Sequence, residues 1–160
     1  MAILALVSDQ LTNAAAKPVV MNRTIDMLGK LRFAYFSKTG VAAGDDGTNC
    51  DLVLLPKGNI RVLGALSRVA FSAFGASRVL DLGHRAYDKI DGVSEAVALA
   101  AFDNDIDISA AGAAAIGNAL SYEDSYVLTS KNGVMVCALV TGGTWPIGGI
   151  IRGYIAFLAD

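Results

Sequence analysis

The sequence predicts an all-β protein, an antiparallel β-sandwich of jelly-roll-like design preceded by an extended N-terminal arm. Three observations carry this. From Leu31 onward, about eight short apolar segments of strand length recur at near-even spacing. Several alternate with period two, as in "SRVLDLGH" (77–84). Gly, Pro, Asn and Asp punctuate the gaps between them. Residues 1–30 then form the arm, and residues 31–160 form a single β-sandwich domain. A chain of 160 residues can bury one core without staples.

The arm mixes a short apolar piece, an Asn-Ala run and Pro18, with no regular period. It is too apolar for a disordered tail in water, so a partner is expected to cover it. "LRFAYFSK" (31–38) is an aromatic-rich strand, and "TGVAAGDDGTN" (39–49) a turn-rich loop. "CDLVLLPKGNIRVLG" (50–64) reads as two β segments around Pro56, Lys57, Gly58 and Asn59. Proline lacks the N–H that a strand ladder needs, so the ladder stops there. "LSRVAFSAF" (66–74) places Ser67, Val69, Phe71 and Ala73 on one face. "SRVLDLGH" aligns Leu80, Leu82 and His84 against Val79, Asp81 and Gly83.

The middle of the chain is less regular. "SEAVALAAF" (94–102) holds helix formers and reads as one or two helical turns. "DNDIDIS" (103–109) reads as a loop entering a short strand. In "AAGAAAIGNAL" (110–120), alanine favours helix while Gly112 and Gly117 oppose it. Irregular structure leading into a strand is expected there. Strands return at "SYVLTS" (125–130), "GVMVCALVT" (133–141) and "GGIIRGYIAFLAD" (148–160). Lys131-Asn132-Gly133 signals a hairpin between the first two. Both faces of "VMVCALV" are apolar, which predicts a central strand covered on both sides. In the last strand Ile151, Ile155 and Phe157 oppose Arg152 and Tyr154.

Composition narrows the function classes. Hydrophobic residues make up 54% of the chain, yet no apolar run reaches the ~18 residues of a membrane helix. That excess predicts an apolar surface facing a partner. Net charge is −2, and the 13 basic and 15 acidic residues are well mixed along the sequence. Without a basic block or a basic amphipathic helix, neither nucleic acid nor a membrane surface is an expected partner. Cys50 and Cys137 lie in or beside apolar strands and are expected as free thiols in a reducing compartment. "MAILALVSDQLTNAAAK" has no basic residue before its apolar stretch, which Asp9 ends, so a cytoplasmic product is expected. The sequon at Asn22 would then go unused.

Catalysis would have to centre on "GHRAYDKIDG" (83–92), which holds the single histidine, His84. A metal-dependent jelly-roll enzyme needs two or three histidines with a carboxylate. A serine hydrolase needs its nucleophile in a G-x-S-x-G elbow, and none is present. His84 aligns with Leu80 and Leu82, so it reads as a packed, hydrogen-bonded strand-end residue. Arg85 and Lys89 read as solvated or paired, Tyr87 as packed on the rim, and Asp91-Gly92 as a turn. Two acidic patches, Asp45, Asp46, Asn49 and Asp51, and Asp103, Asn104, Asp105 and Asp107, lack EF-hand spacing and read as solvated loops. Trp145-Pro146 is either a sugar-stacking platform or, preferably, a loop anchor or interface residue. No catalytic, cofactor-binding or metal-ligating residue is therefore expected.

The order "LRFAYFSKTG", "DLVLLPKGNIRVLGALSRVAFSAFG", "RVLDLGHRAYDKIDG", "DIDISAAG" and a terminal "GGIIRGYIAFLAD" resembles small virion proteins of tailed bacteriophages. The most similar are jelly-roll cement, or decoration, proteins on the outer face of the capsid. The resemblance spans residues 31–160 and rests on overall pattern. It implies no catalytic residues. It implies the major capsid protein as partner, location on the virion surface, and homodimers or homotrimers. A tail, baseplate or fibre-base protein is the alternative, and a carbohydrate-binding sandwich a third reading.

Overall fold

The structure is a computed structural model that describes residues 30–40, 44–117 and 125–159. The expected arm lies outside the described residues except for Lys30, which opens the first strand. The strands are β1 (Lys30–Thr39), β2 (Asn49–Leu55), β3 (Gly58–Val62), β4 (Arg68–Phe71), β5 (Val79–His84) and β6 (Tyr87–Asp88). They continue as β7 (Ser94–Glu95), β8 (Ala98–Asp107), β9 (Gly112–Ala115), β10 (Tyr126–Ser130), β11 (Val134–Thr141) and β12 (Ile150–Ala159). One 3-10 turn, Gly64–Leu66, separates β3 from β4.

Two sheets face each other. In the first, β12 pairs along its whole length with β1, from Lys30↔Ala159 to Thr39↔Ile150. Its other edge holds β3 at Phe157–Ala159 and β4 at Ile151–Tyr154. β10 then extends β3, and β9 extends β4. The second sheet runs β2-β11-β5-β8, and β6 and β7 form a separate ribbon. All pairings are antiparallel. Taking β3 with β4 and β9 with β10 as interrupted single strands gives eight strand positions, four per sheet. That is the jelly-roll arrangement, and it accounts for the strand count expected from the sequence.

Both predicted local structures in the middle of the chain are overturned. Residues 98–107 form β8 rather than helical turns followed by a loop. Helix preference is worth at most about 0.7 kcal/mol per residue. Burying a side chain such as Phe102, which is fully enclosed, contributes roughly 1.5–3 kcal/mol. Pairing with β5 therefore prevails over local propensity. The Asp-Asn-Asp stretch becomes an irregularity within β8, with Asp105 in the left-handed region at φ 59°. Residues 112–115 form β9, paired on β4, while 118–120 lie outside the described residues.

The hairpin predicted at Asn132-Gly133 does not form. β10 belongs to the first sheet and β11 to the second. The tight turn is real, with Gly133 at φ 96°, but it carries the chain across the sandwich. Pro56-Lys57 does the same between β2 and β3. β11 is interior, between β2 and β5, as its two apolar faces require.

Alternation holds where it was read. Phe36, Ile60, Val62, Val69, Ile151, Ile155 and Phe157 point inward from the first sheet. They join Leu80, Leu82, Phe102, Val136, Ala138 and Val140 of the second in one core. Ala73 is an exception: the strand ends at Phe71, so Phe74 is buried and Ala73 is exposed. Buried Ser67 is satisfied, donating to Leu63 O at 2.8 Å and accepting from the Ala156 amide at 2.9 Å.

β5 and β8 come closest at Gly83, where a β-carbon would sit 1.9 Å from Ala98 O. Backbone cannot yield there. Gly83→Ala is expected to lower stability by about 1–3 kcal/mol or more, read from urea unfolding. An unchanged midpoint would mean the β5–β8 register is looser than described.

Candidate interaction surface

Within "GHRAYDKIDG" the histidine lies inside the sandwich, while Ala86, Asp88, Ile90, Asp91 and Gly92 are exposed. His84 is fully buried at the end of β5, ringed by Tyr87, Phe102 and Tyr126 at centroid distances of 5.3, 6.0 and 5.5 Å. Its Nδ1 lies 3.0 Å from Arg85 O, and its Nε2 lies 2.9 Å from the Tyr126 hydroxyl. A carbonyl only accepts, so in the neutral ring Nδ1 carries the hydrogen and Nε2 accepts from Tyr126. Tyr126 is on β10, so this bond ties the two sheets together. Arg85 is paired with Asp51 at 2.6 Å and also donates to Asn49, while Lys89 pairs with Glu95. Tyr87 is half-buried against the core, and Asp91-Gly92 is a turn in which the Gly92 amide donates to Lys89 O at 3.0 Å.

The acidic patches divide. Asp51 belongs to the Arg85 pair, and Asp46 accepts from the Gly143 amide. Asp103 is not solvated as expected. It is fully buried and accepts from the amides of Asn104 and Gly117, both at 2.8 Å. Asp81 is also buried and accepts from the Asp105 amide. Burial pushes its carboxyl above the ordinary range, the Asp105 amide partly offsets this, and the charges of Asp105 and Asp103 add to the rise. Among the described residues no three His, Cys, Asp or Glu side chains are grouped to hold a metal ion.

Trp145 is 3% exposed, packs edge-on against Phe74 at 5.3 Å, and donates to Gly149 O at 3.3 Å. A ring so enclosed cannot offer a face to a sugar, so the platform reading falls and the loop-anchor reading stands. The thiols are free. Cys50 opposes Ala138 and packs against the core, whereas neighbouring Cys137 opposes Asp51 and is fully buried on the other side of the sheet. Strand alternation thus points the two thiols to opposite sides of the sheet. Burial pushes both thiols up to about 11.

What the sequence did not single out is the outer face of the first sheet. The odd-numbered residues of β1 point away from the core there: Leu31 is 47% exposed, Phe33 45% and Tyr35 72%. Across the ladder, Phe33 opposes Ala156 and Tyr35 opposes Tyr154. Phe33 and Tyr35 both contact the Tyr154 ring, at 5.5 and 5.7 Å. Arg68 lies opposite Tyr154, and Arg152 lies opposite Ala70. Beside the aromatics is an open groove of about 400 Å³, lined by Tyr35, Tyr154, Arg68, Arg152, Ala70 and Ala113. Small side chains on β4 and β9 set its depth. The aromatic run "FAYF" was legible, but which of its rings would face away from the core depended on the register of β1 against β12.

No protein-family model and no curated protein sequence matches the chain. Its fold does have counterparts. A chain in the capsid of Ralstonia phage GP4 matches with a TM-score of 0.59 and 16% identity, over 88% of this chain and 91% of that one. A chain in the cyanophage Pam1 capsid asymmetric unit matches with a TM-score of 0.55 and 13% identity, over 82% and 86%. The chain therefore shares a jelly-roll fold with these two phage-capsid chains, which it covers nearly end to end. At these identities the likeness is one of fold.

Two predictions follow from the buried groups. His84→Gln is expected to cost about 1–3 kcal/mol in stability, because the Tyr126 hydroxyl loses a fitted partner. Binding by the folded variant should be unchanged; loss of binding in a stable variant would contradict the structural role. Alkylation under denaturing, non-reducing conditions should add two adducts by intact mass, with Cys137 blocked in the native state. Because folding raises both thiols from 9.0 to about 11, their contribution is full below pH 9 and is lost as pH rises toward about 11.

Proposed function

We propose that this chain is a bacteriophage capsid cement, or decoration, protein. It binds the outer face of the shell built by the major capsid protein and stabilises that shell. The observation that carries this reading is the outer face of the first sheet, where Leu31, Phe33 and Tyr35 are exposed and both aromatic rings contact half-buried Tyr154. A monomer with no partner would seldom leave such rings in water. The fold shared with chains of two phage capsids supports the same reading. The role is mechanical binding and needs no cofactor. The protein is made in the host cytoplasm and resides on the virion surface. Among the described residues no helix is long and apolar enough to cross a membrane.

Homodimers or homotrimers on the shell accompany this reading, and residues 1–30 act as a docking arm. Extended apolar segments dock well by adding to an open sheet edge. Many weak copies around a shell reinforce one another.

Two measurements test the proposal. Quantitative mass spectrometry of virions should find the protein in hundreds of copies; multiples of three or six per particle would instead indicate a tail, baseplate or fibre-base component. A chain lacking residues 1–26 should keep its β-type circular dichroism, since the described fold begins at Lys30, yet show reduced occupancy on shells lacking the native protein. Full occupancy would make the arm dispensable.

A further inference from the structure

The charges that look mixed along the sequence are sorted by the fold. The six strands of the first sheet carry Lys30, Arg32, Lys38, Arg61, Arg68 and Arg152 and no acidic residue. The strands of the second sheet and the β6–β7 ribbon carry Asp51, Asp81, Asp88, Glu95, Asp103, Asp105 and Asp107 and no lysine or arginine. Register then brings Arg61, Arg68 and Arg152 onto the same outer face as Tyr35 and Tyr154. Arg61 pairs with Val127 and Leu158, and Arg68 with Tyr154. Arg68 and Arg152 are exposed and have no ion-pair partner among the described residues.

We infer that this basic, aromatic face is the footprint of the protein on an acidic, apolar protein surface of the shell, with the acidic sheet turned to solvent. The inference rests on the cement reading and adds the orientation and the chemistry of the partner. Tyrosine and arginine are the side chains that dominate interface energetics, and complementary charge steers encounter and fixes orientation. A second copy fits this face poorly. Face-to-face pairing about a two-fold axis would set Arg61, Arg68 and Arg152 against a like-charged face. Head-to-tail pairing of basic on acidic sheet would propagate as an open filament unless the rotation closed.

The test compares the full-length protein with R68E/R152E and with D105N/D107N on shells lacking the native protein, across a salt series. Both arginines are exposed, so circular dichroism should be unchanged. Asn tolerates the left-handed backbone of Asp105. The charge reversal should weaken binding by about tenfold or more and flatten its salt dependence. D105N/D107N should bind as the wild type does. If R68E/R152E proves misfolded, R68Q/R152Q carries the same test with a smaller loss. Wild-type binding with undiminished R68E/R152E binding overturns the orientation alone, whereas absence of wild-type binding overturns the cement reading and the orientation together. Two further controls discriminate other occupants. Oligothymidylate retained by the wild type but not by R68E/R152E, with equal shell binding, would make the face a nucleic-acid platform and overturn the inference. An oligomer that R68E/R152E splits, with unchanged shell occupancy, would assign the face to a second copy and overturn it as well.

Discussion

The structure depends on the pairing of β12. Its ten residues hold β1 along one edge and β3 and β4 in series along the other. Without it, β1 would have no sheet and β3 and β4 no common partner. Gly153 marks how close this packing is: a β-carbon there would lie 2.1 Å from Arg68 O and 2.9 Å from the Phe36 ring. The same strand supplies Ile151, Ile155 and Phe157 to the core and Arg152 and Tyr154 to the outer surface. Fold and interaction surface are therefore two faces of one element.

The two sheets also differ in what joins them. Between them lies an apolar core crossed by a hydrogen bond from the Tyr126 hydroxyl to His84. That bond fixes the imidazole at the end of β5, where Phe102 and Tyr87 close around it. A histidine so enclosed serves packing and alignment between layers. The candidate recognition surface is the outer face of the first sheet, where alternation leaves the rings of Phe33, Tyr35 and Tyr154 exposed or half-buried beside the exposed Arg68 and Arg152. Rigid aromatics on a paired strand lose little conformational freedom on binding, which suits the proposed adhesive role.

Where the local reading failed, a long-range partner decided. Residues 98–102 favour helix by composition, but β5 offers a ladder and the core a site for Phe102. Asn132-Gly133 makes a tight turn in either topology, and only the destination of β11 tells a hairpin from a crossing. Asp103 looks like a loop acid until the amides of Asn104 and Gly117 are found converging on it. Trp145 looks available until Phe74 and Gly149 enclose it.

Period-two alternation, turn residues and strand spacing determined by themselves that this chain is a jelly-roll-like sandwich. They also determined that Leu80, Leu82 and His84 share the buried face and that Ile151, Ile155 and Phe157 share another. These are local signals, because the pleat turns successive side chains to opposite sides whatever the partner strand. The tertiary structure alone decided which strand lies beside which, and so which of the exposed side chains become neighbours. Sending strands to alternate sheets separated charges that are interleaved in sequence, gathering Arg61 and Arg68 of β3 and β4 with distant Arg152 beside Tyr35 and Tyr154. No window along the chain contains that surface, because it exists only where non-consecutive strands hydrogen-bond in register.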